Sequence, residues 1–298
     1  MTYSIAARDE STGELGVGVQ TCFLAVGWIA PWARPGVGAV ATQAFAELAY
    51  GPRFLDALDA GKSASDALAE ARAADPMADL RQVGVVGADG SVAAVTGERC
   101  VDHAGHVIGE GFTTQANMVS TPEVWGAMAA AFESSTGRQA RRLLAALDAG
   151  EAAGGDARGR MSAALLVVEG SPPPQPGGGT VVDLRVDRSQ DPLGELARLL
   201  DAADAFTDYD RATDQLFGGD PAAALGTIDR ALETLPGEEN LRLVRAGALL
   251  ASGSTDDGMA ELRALVAGRP TWEVIVRGFA AKGLMTLPEG LTIDAVFA

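Results

Sequence analysis

The residue with the most distinctive chemical potential is Thr2, which directly follows Met1. A side chain this small permits removal of the methionine, leaving a threonine with a free α-amino group. Such an amine titrates at roughly 7.7–8.0, so part of it is neutral near pH 7 and can accept a hydroxyl proton. One residue then supplies both nucleophile and base. Gln115 and Asn117 sit near the end of another expected strand, where their amides could hold an oxyanion or a substrate amide. Thr42 and Gln43 close the third expected strand, beside the start of the first. Arg8 is a candidate for a substrate carboxylate. His106 is a candidate pocket residue. Asp156 lies in Gly154-Gly-Asp-Ala-Arg-Gly159, whose glycines permit a backbone nest for an anion. For Thr42, Gln43, Gln115 and Asn117 the plainer reading is a satisfied buried polar network.

Composition narrows the chemistry further. Two histidines and two cysteines leave little for a metal cage or a disulfide framework. His103-Ala-Gly-His106 supplies at most two ligands where a metal site needs three or four, so neither metal nor cofactor is expected. Cys22 and Cys100 read most simply as small apolar residues. The 298 residues carry 23 Lys+Arg against 40 Asp+Glu, a net charge of −17. Nucleic acid and anionic membranes are therefore poor partners. No positively charged leader or apolar run of about 18 residues stands out, so a cytoplasmic protein is expected.

These candidates need a scaffold. Strands are expected at Tyr3–Ala7, Leu15–Gln20, Gly36–Gln43, Gln82–Gly87, Ser91–Thr96, His106–Ile108, Phe112–Asn117, Ser162–Val168 and Thr180–Val186. Helix pairs interrupt them, near Tyr50–Ala60 with Ser63–Ala74, and near Pro122–Glu133 with Gly137–Ala149. The order is strands, helix pair, strands, helix pair, strands. That grouping predicts an α+β fold, a four-layer α-β-β-α sandwich over residues 1–190.

From 191 to 298 the pattern is helical only. Gly219-Asp220-Pro221 and Gly253-Ser254-Thr255 are 34 residues apart, as are Pro236 and Pro270, with apolar positions matching between them. This period resembles the tetratricopeptide helix–turn–helix repeat and predicts a small all-α domain.

The opening Thr2-Tyr-Ser-Ile-Ala-Ala-Arg-Asp9 and Gly13-Glu-Leu-Gly-Val17 are similar to a known family. So are Gly36-Val-Gly-Ala-Val-Ala-Thr-Gln43, Tyr50-Gly-Pro52, Ala104-Gly-His106, Gln115-Ala-Asn117 and Gly154-Gly-Asp-Ala-Arg-Gly159. Together they resemble the domain-of-unknown-function family 1028, placed among N-terminal-nucleophile hydrolase-like proteins. The stretch around Arg269-Pro-Thr-Trp-Glu-Val-Ile275 is similar to a C-terminal extension of that family labelled peptidoglycan-binding. The resemblance implies the fold; the activity expected on it is that of an amidohydrolase acting on a small amide or ureide-like substrate through Thr2, with backbone N–H groups and Gln115 or Asn117 at the oxyanion. It departs from the proteasome-type pattern in lacking a third-strand lysine, since the first lysine is Lys62. The alternative it leaves is a non-catalytic ligand-binding or scaffold protein whose helical tail binds a protein partner. A homodimer is a further expectation at the level of the family.

Overall fold

A computed structural model describes residues 2–297. The strands are β1 (Thr2–Arg8), β2 (Leu15–Thr21), β3 (Pro31–Arg34), β4 (Gly38–Ala44), β5 (Arg81–Gly87), β6 (Val92–Thr96), β7 (Gly105–Gly109), β8 (Phe112–Asn117), β9 (Ser162–Val168) and β10 (Thr180–Val186). The helices are α1 (Tyr50–Asp59), α2 (Ala64–Ala74), α3 (Val124–Ser134), α4 (Gln139–Ala152), α5 (Pro192–Phe217), α6 (Pro221–Thr234), α7 (Glu239–Ala251), α8 (Thr255–Gly268), α9 (Trp272–Ala281) and α10 (Asp294–Phe297).

Two antiparallel sheets result, one ordered β10-β9-β2-β1-β8-β7 and the other β3-β4-β5-β6. Helices α3 and α4 pack on β1, β2 and β8, whereas α1 and α2 pack on the second sheet. The two sheets face each other through β1, β2 and β8 on one side and β4 and β5 on the other. This is an α+β fold, layered as an α-β-β-α sandwich.

Strand alternation decides what lies in each layer. On β1, the Tyr3 hydroxyl donates to Glu151 Oε2 of α4 at 2.7 Å. Ala6, by contrast, joins Leu15, Val17, Ala39, Ala41 and Val86 between the sheets. Thr2 and Ser4 share the face of Ala6 and therefore also lie between the sheets. On β5, Val83 and Val85 pack with Tyr50 and Phe54 under the helices, which turns Gln82 and Gly84 inward. The inter-sheet layer is thus apolar at one end and rich in hydroxyls and amides at the other.

One element was not expected from the sequence. β3 is a four-residue edge strand beginning with Pro31, a place where the missing N–H costs no ladder bond. The third expected strand, Gly36–Gln43, corresponds to β4 (Gly38–Ala44), and neither β3 nor β4 contains a lysine.

The chain divides into two compact units between Leu199 and Leu200, within α5. In the second unit α6 and α8 begin at Pro221 and Thr255. Asp220 caps α6 by accepting from Ala223 N at 3.0 Å, with Pro221 in the first turn. Ile228, Leu241 and Val244 build one core there, and Leu250, Leu262 and Val276 another. Among the described residues no helix is long and apolar enough to cross a membrane.

Gly16 sets the spacing between α4 and β2. A Cβ at that position would lie 2.8 Å from Leu143 Cδ1 and 3.1 Å from Leu166 O. Gly16→Val overpacks this layer, and a loss of about 1–3 kcal/mol is expected in urea unfolding. An unchanged midpoint would show that α4 does not depend on this close approach.

Candidate functional site

The polar end of the inter-sheet layer opens into a cleft of about 350 Å³ lined by Thr2, Thr21, Thr42, Gln43, Asn117 and Arg158, with Cys100 at its edge. Thr2 heads β1 and is buried. Its Oγ1 donates to Thr21 Oγ1 at 3.2 Å. Its carbonyl accepts from Gln43 Nε2 at 3.2 Å and from Asn117 Nδ2 at 3.4 Å. The first strand is therefore anchored at its chemically interesting end by side chains from β4 and β8.

Behind Thr2 runs a ladder of buried amides whose polarity is fixed by one residue. Gln82 Nε2 donates to the backbone carbonyls of Ala116 at 2.8 Å and Gly105 at 3.2 Å. Carbonyls only accept, so the nitrogen of this amide has to face them. Gln82 Oε1 consequently points the other way and accepts from Gln43 Nε2 at 2.7 Å and Asn117 Nδ2 at 2.9 Å. The Asn117 nitrogen is thereby committed, and its buried Oδ1 has no hydrogen-bond partner. Further in, Ser4 Oγ donates to Gln43 Oε1 and accepts from Gln115 Nε2, both at 2.6 Å. Gly84 leaves room for this layer, since a Cβ there would run into the Gln115 side chain.

The expected site residues separate into three groups. Thr2, Thr42, Gln43 and Asn117 come together at the cleft. Gln115 lies one step behind it, its amide nitrogen held by Ser4, so it braces the ladder instead of reaching a ligand in the cleft. The Asp156 carboxylate is fully buried at the cleft edge, accepting from Cys22 N at 2.8 Å and from Arg158 Nη2 at 3.2 Å. It orients Arg158. His106 lines a different hollow with His103, Glu98 and Trp125. Its Nδ1 meets Thr96 Oγ1 at 2.9 Å, and Thr96 in turn accepts from Gln82 Nε2 at 2.8 Å. Burial pushes the His106 pKa down, favouring a neutral ring. Arg8, six residues along β1, is about 20 Å from Thr2 and lines a separate hollow with Asp9 and Arg142.

Ser4, Thr21, Gln82 and Arg158 were not singled out in the sequence. For Ser4 and Thr21 the signal was available, because both fall on the Thr2 face once the β1–β2 register pairs Tyr3 with Gln20. Gln82 could be found only after β5 was placed beside β4, with Gln43 opposite Gln82.

Residues 2–196 match a family of unknown function, DUF1028. The chain belongs to DUF1028. A crystal structure of a DUF1028 protein from Silicibacter pomeroyi is similar to it, with a TM-score of 0.61 and 34% sequence identity over 67% of this chain and 84% of that one. No curated protein matches it.

In this DUF1028 chain the cleft rim is held under backbone strain. Among the described residues the non-glycine positions with positive φ are Ala25 (54°), Ala44 (66°), His103 (54°) and Met118 (54°). Ala44 and Met118 line the cleft, and Ala25 precedes the lining residue Val26. Such conformations persist only where the surroundings over-determine them, and they cluster at ligand sites. The Phe45 segment shows how. Arg81 donates to the Phe45 carbonyl, while its Nε donates to Asp75 Oδ2 at 2.9 Å. The Tyr50 hydroxyl donates to the same oxygen at 2.8 Å.

Two expectations follow. Gln82→Leu strands the Gln43 and Asn117 donors in a buried layer, at a cost of about 1–3 kcal/mol for each, and calorimetric unfolding should show it. The Arg81 hydrogen bond also holds the Asp75 carboxyl at about 2, below its ordinary 3.8. The unfolded state then binds the proton more readily, so this stabilisation is complete above roughly pH 4 and is lost as pH falls towards 2. Asp9 adds to the same window. Burial pushes its carboxyl up, but hydrogen bonds from Ser11 and Thr12 outweigh that and bring it to about 2. Asp75→Asn should therefore flatten part of the stability loss between pH 4 and 2, measured by acid titration of the unfolding midpoint. An unaltered slope would remove Asp75 from this account.

Proposed function

We propose that this chain is an N-terminal-threonine amidohydrolase acting on a small amide or ureide-like substrate, built on a sandwich of the N-terminal-nucleophile hydrolase type. The observation that carries the reading is the position of Thr2, at the head of a central strand, lining a cleft, with its carbonyl held by Gln43 and Asn117. After removal of Met1, the Thr2 amine takes the proton of the Thr2 hydroxyl as Oγ1 bonds to the substrate carbonyl carbon. The resulting ammonium returns that proton to the departing nitrogen as the C–N bond breaks, leaving an ester on Thr2. Water, deprotonated by the same amine, then hydrolyses the ester and restores the hydroxyl. In this scheme Gln43 and Asn117 position the strand end. Asn117 does not serve as an oxyanion donor, because both protons of its amide are used.

One observation favours a second reading, a ligand-binding module. Among the described residues, the ionisable side chains lining the cleft are Cys100 and Arg158. Burial pushes the Cys100 thiol up, and a guanidinium does not accept protons. Without a free Thr2 amine the cleft has no base. In that reading the helical unit, which exposes Val274 and Ile275, would recruit a protein partner.

Intact-mass analysis together with hydrolysis of an amide and ureide panel separates the two. The amidohydrolase reading expects loss of Met1, a fall of about 10³-fold or more in Thr2→Ala, and retention of activity in Thr2→Ser. Full activity in Thr2→Ala, or active protein that keeps Met1, overturns it.

A further inference from the structure

The lining of the Thr2 cleft also constrains what it holds. The Asn117 side chain is 1% exposed, and its Oδ1 is an acceptor with no partner. The amide cannot be turned over to hide this, because Gln82 Oε1 requires the Asn117 nitrogen, and Gln82 is itself fixed by two backbone carbonyls. Thr42, fully buried in the same lining, carries a hydroxyl that is likewise without a partner. Buried polar atoms left unpaired cost about 1–3 kcal/mol each, so a ligand that brings an N–H donor has a ready place.

Most of the remaining cleft surface is hydrocarbon. Val26, Ile29 and Met118 line it, and Phe23, Phe45 and Val101 stand 58%, 61% and 52% exposed around it. Among the described residues no carboxylate and no lysine lines it. The cation among them, Arg158, is held by the buried Asp156 carboxylate through Nη2 at 3.2 Å and Nε at 3.4 Å. A charged ligand would therefore meet an already neutralised arginine and a greasy wall, whereas an uncharged ligand with one apolar group meets complementary surfaces. Its volume of about 350 Å³ suits a single ring or short chain.

We infer that the cleft binds an uncharged carboxamide bearing an apolar, ring-sized substituent, with its N–H on Asn117 Oδ1 and its hydrocarbon between Phe23, Phe45 and Val101. This assignment rests on the Thr2 cleft being the functional site, as argued above, but not on hydrolysis. It narrows the substrate from amides and ureides in general to the apolar amides.

Binding to the Thr2→Ala protein tests it without turnover. By titration calorimetry benzamide should bind at least tenfold more tightly than hydantoin, a polar ureide, and more tightly than benzoate, which has the ring without the N–H and adds a charge. Phe45→Ala, at an exposed rim position, should weaken benzamide about tenfold while leaving the unfolding midpoint unchanged. Hydantoin binding as well as benzamide overturns the inference, as does benzoate binding as well, an unmoved affinity in Phe45→Ala, or no binding of benzamide at all. Hydrolysis of ureides by the wild-type protein together with absent benzamide binding would uphold the amidohydrolase reading and defeat this one. Benzamide binding with no hydrolysis of any amide would do the reverse.

Discussion

The Gln82 side chain is the constraint on which the polar half of this protein turns. A primary amide has two donors on one end and an acceptor on the other, and in a dry layer it has to satisfy both. Because two backbone carbonyls claim the Gln82 nitrogen, every other amide nearby has its orientation dictated in sequence. Gln43 and Asn117 turn their nitrogens towards Gln82 Oε1, and Thr96 Oγ1 is a third acceptor beside the Gln82 nitrogen. The consequence is a buried acceptor without a partner on Asn117, a residue of the cleft lining. A site feature is thus set from the far side of β5.

The sheets share the work unevenly. At the other end of the same inter-sheet layer, Ala6, Val17, Ala39, Ala41 and Val86 bring two backbones together with small and branched side chains. That end needs no orientation, only volume. The polar end needs directions, and it obtains them from the amides of Gln43, Gln82, Gln115 and Asn117. The Arg81–Asp75–Tyr50 group then fixes the Phe45 rim, tying a strained loop to the helix layer.

Much of the scaffold could be read from the sequence. Alternation in Tyr3–Ala7, the Asp-Gly turn at Asp89-Gly90 and the grouped helix pairs lead directly to an α+β sandwich. β3 was hidden because Pro31 opens it and Arg34-Pro35-Gly36 follows at once, leaving four residues with no visible period. The site was partly legible. Thr2, Thr42, Gln43 and Asn117 could be found as polar residues at strand ends, and they do meet. Gln115 could not be told from them, because whether an amide faces a cleft or a serine depends on a neighbour in space, here Ser4. Arg8 and His106 illustrate the converse. Each belongs to a motif that contributes to the fold, and each lies in a hollow of its own.

The ladder behind Thr2 contains glutamines, an asparagine, a serine and threonines, with no carboxylate and no amine among them. None of these groups ionises in water at ordinary acidity. These side chains therefore keep their own charge state from mildly acidic to strongly alkaline solution, unlike the braces of sites built on aspartate or lysine. Titration seen in binding or turnover there belongs to the ligand, to the terminal amine of Thr2, to the Cys100 thiol at the cleft or, by way of Thr96, to His106, and not to the amides themselves.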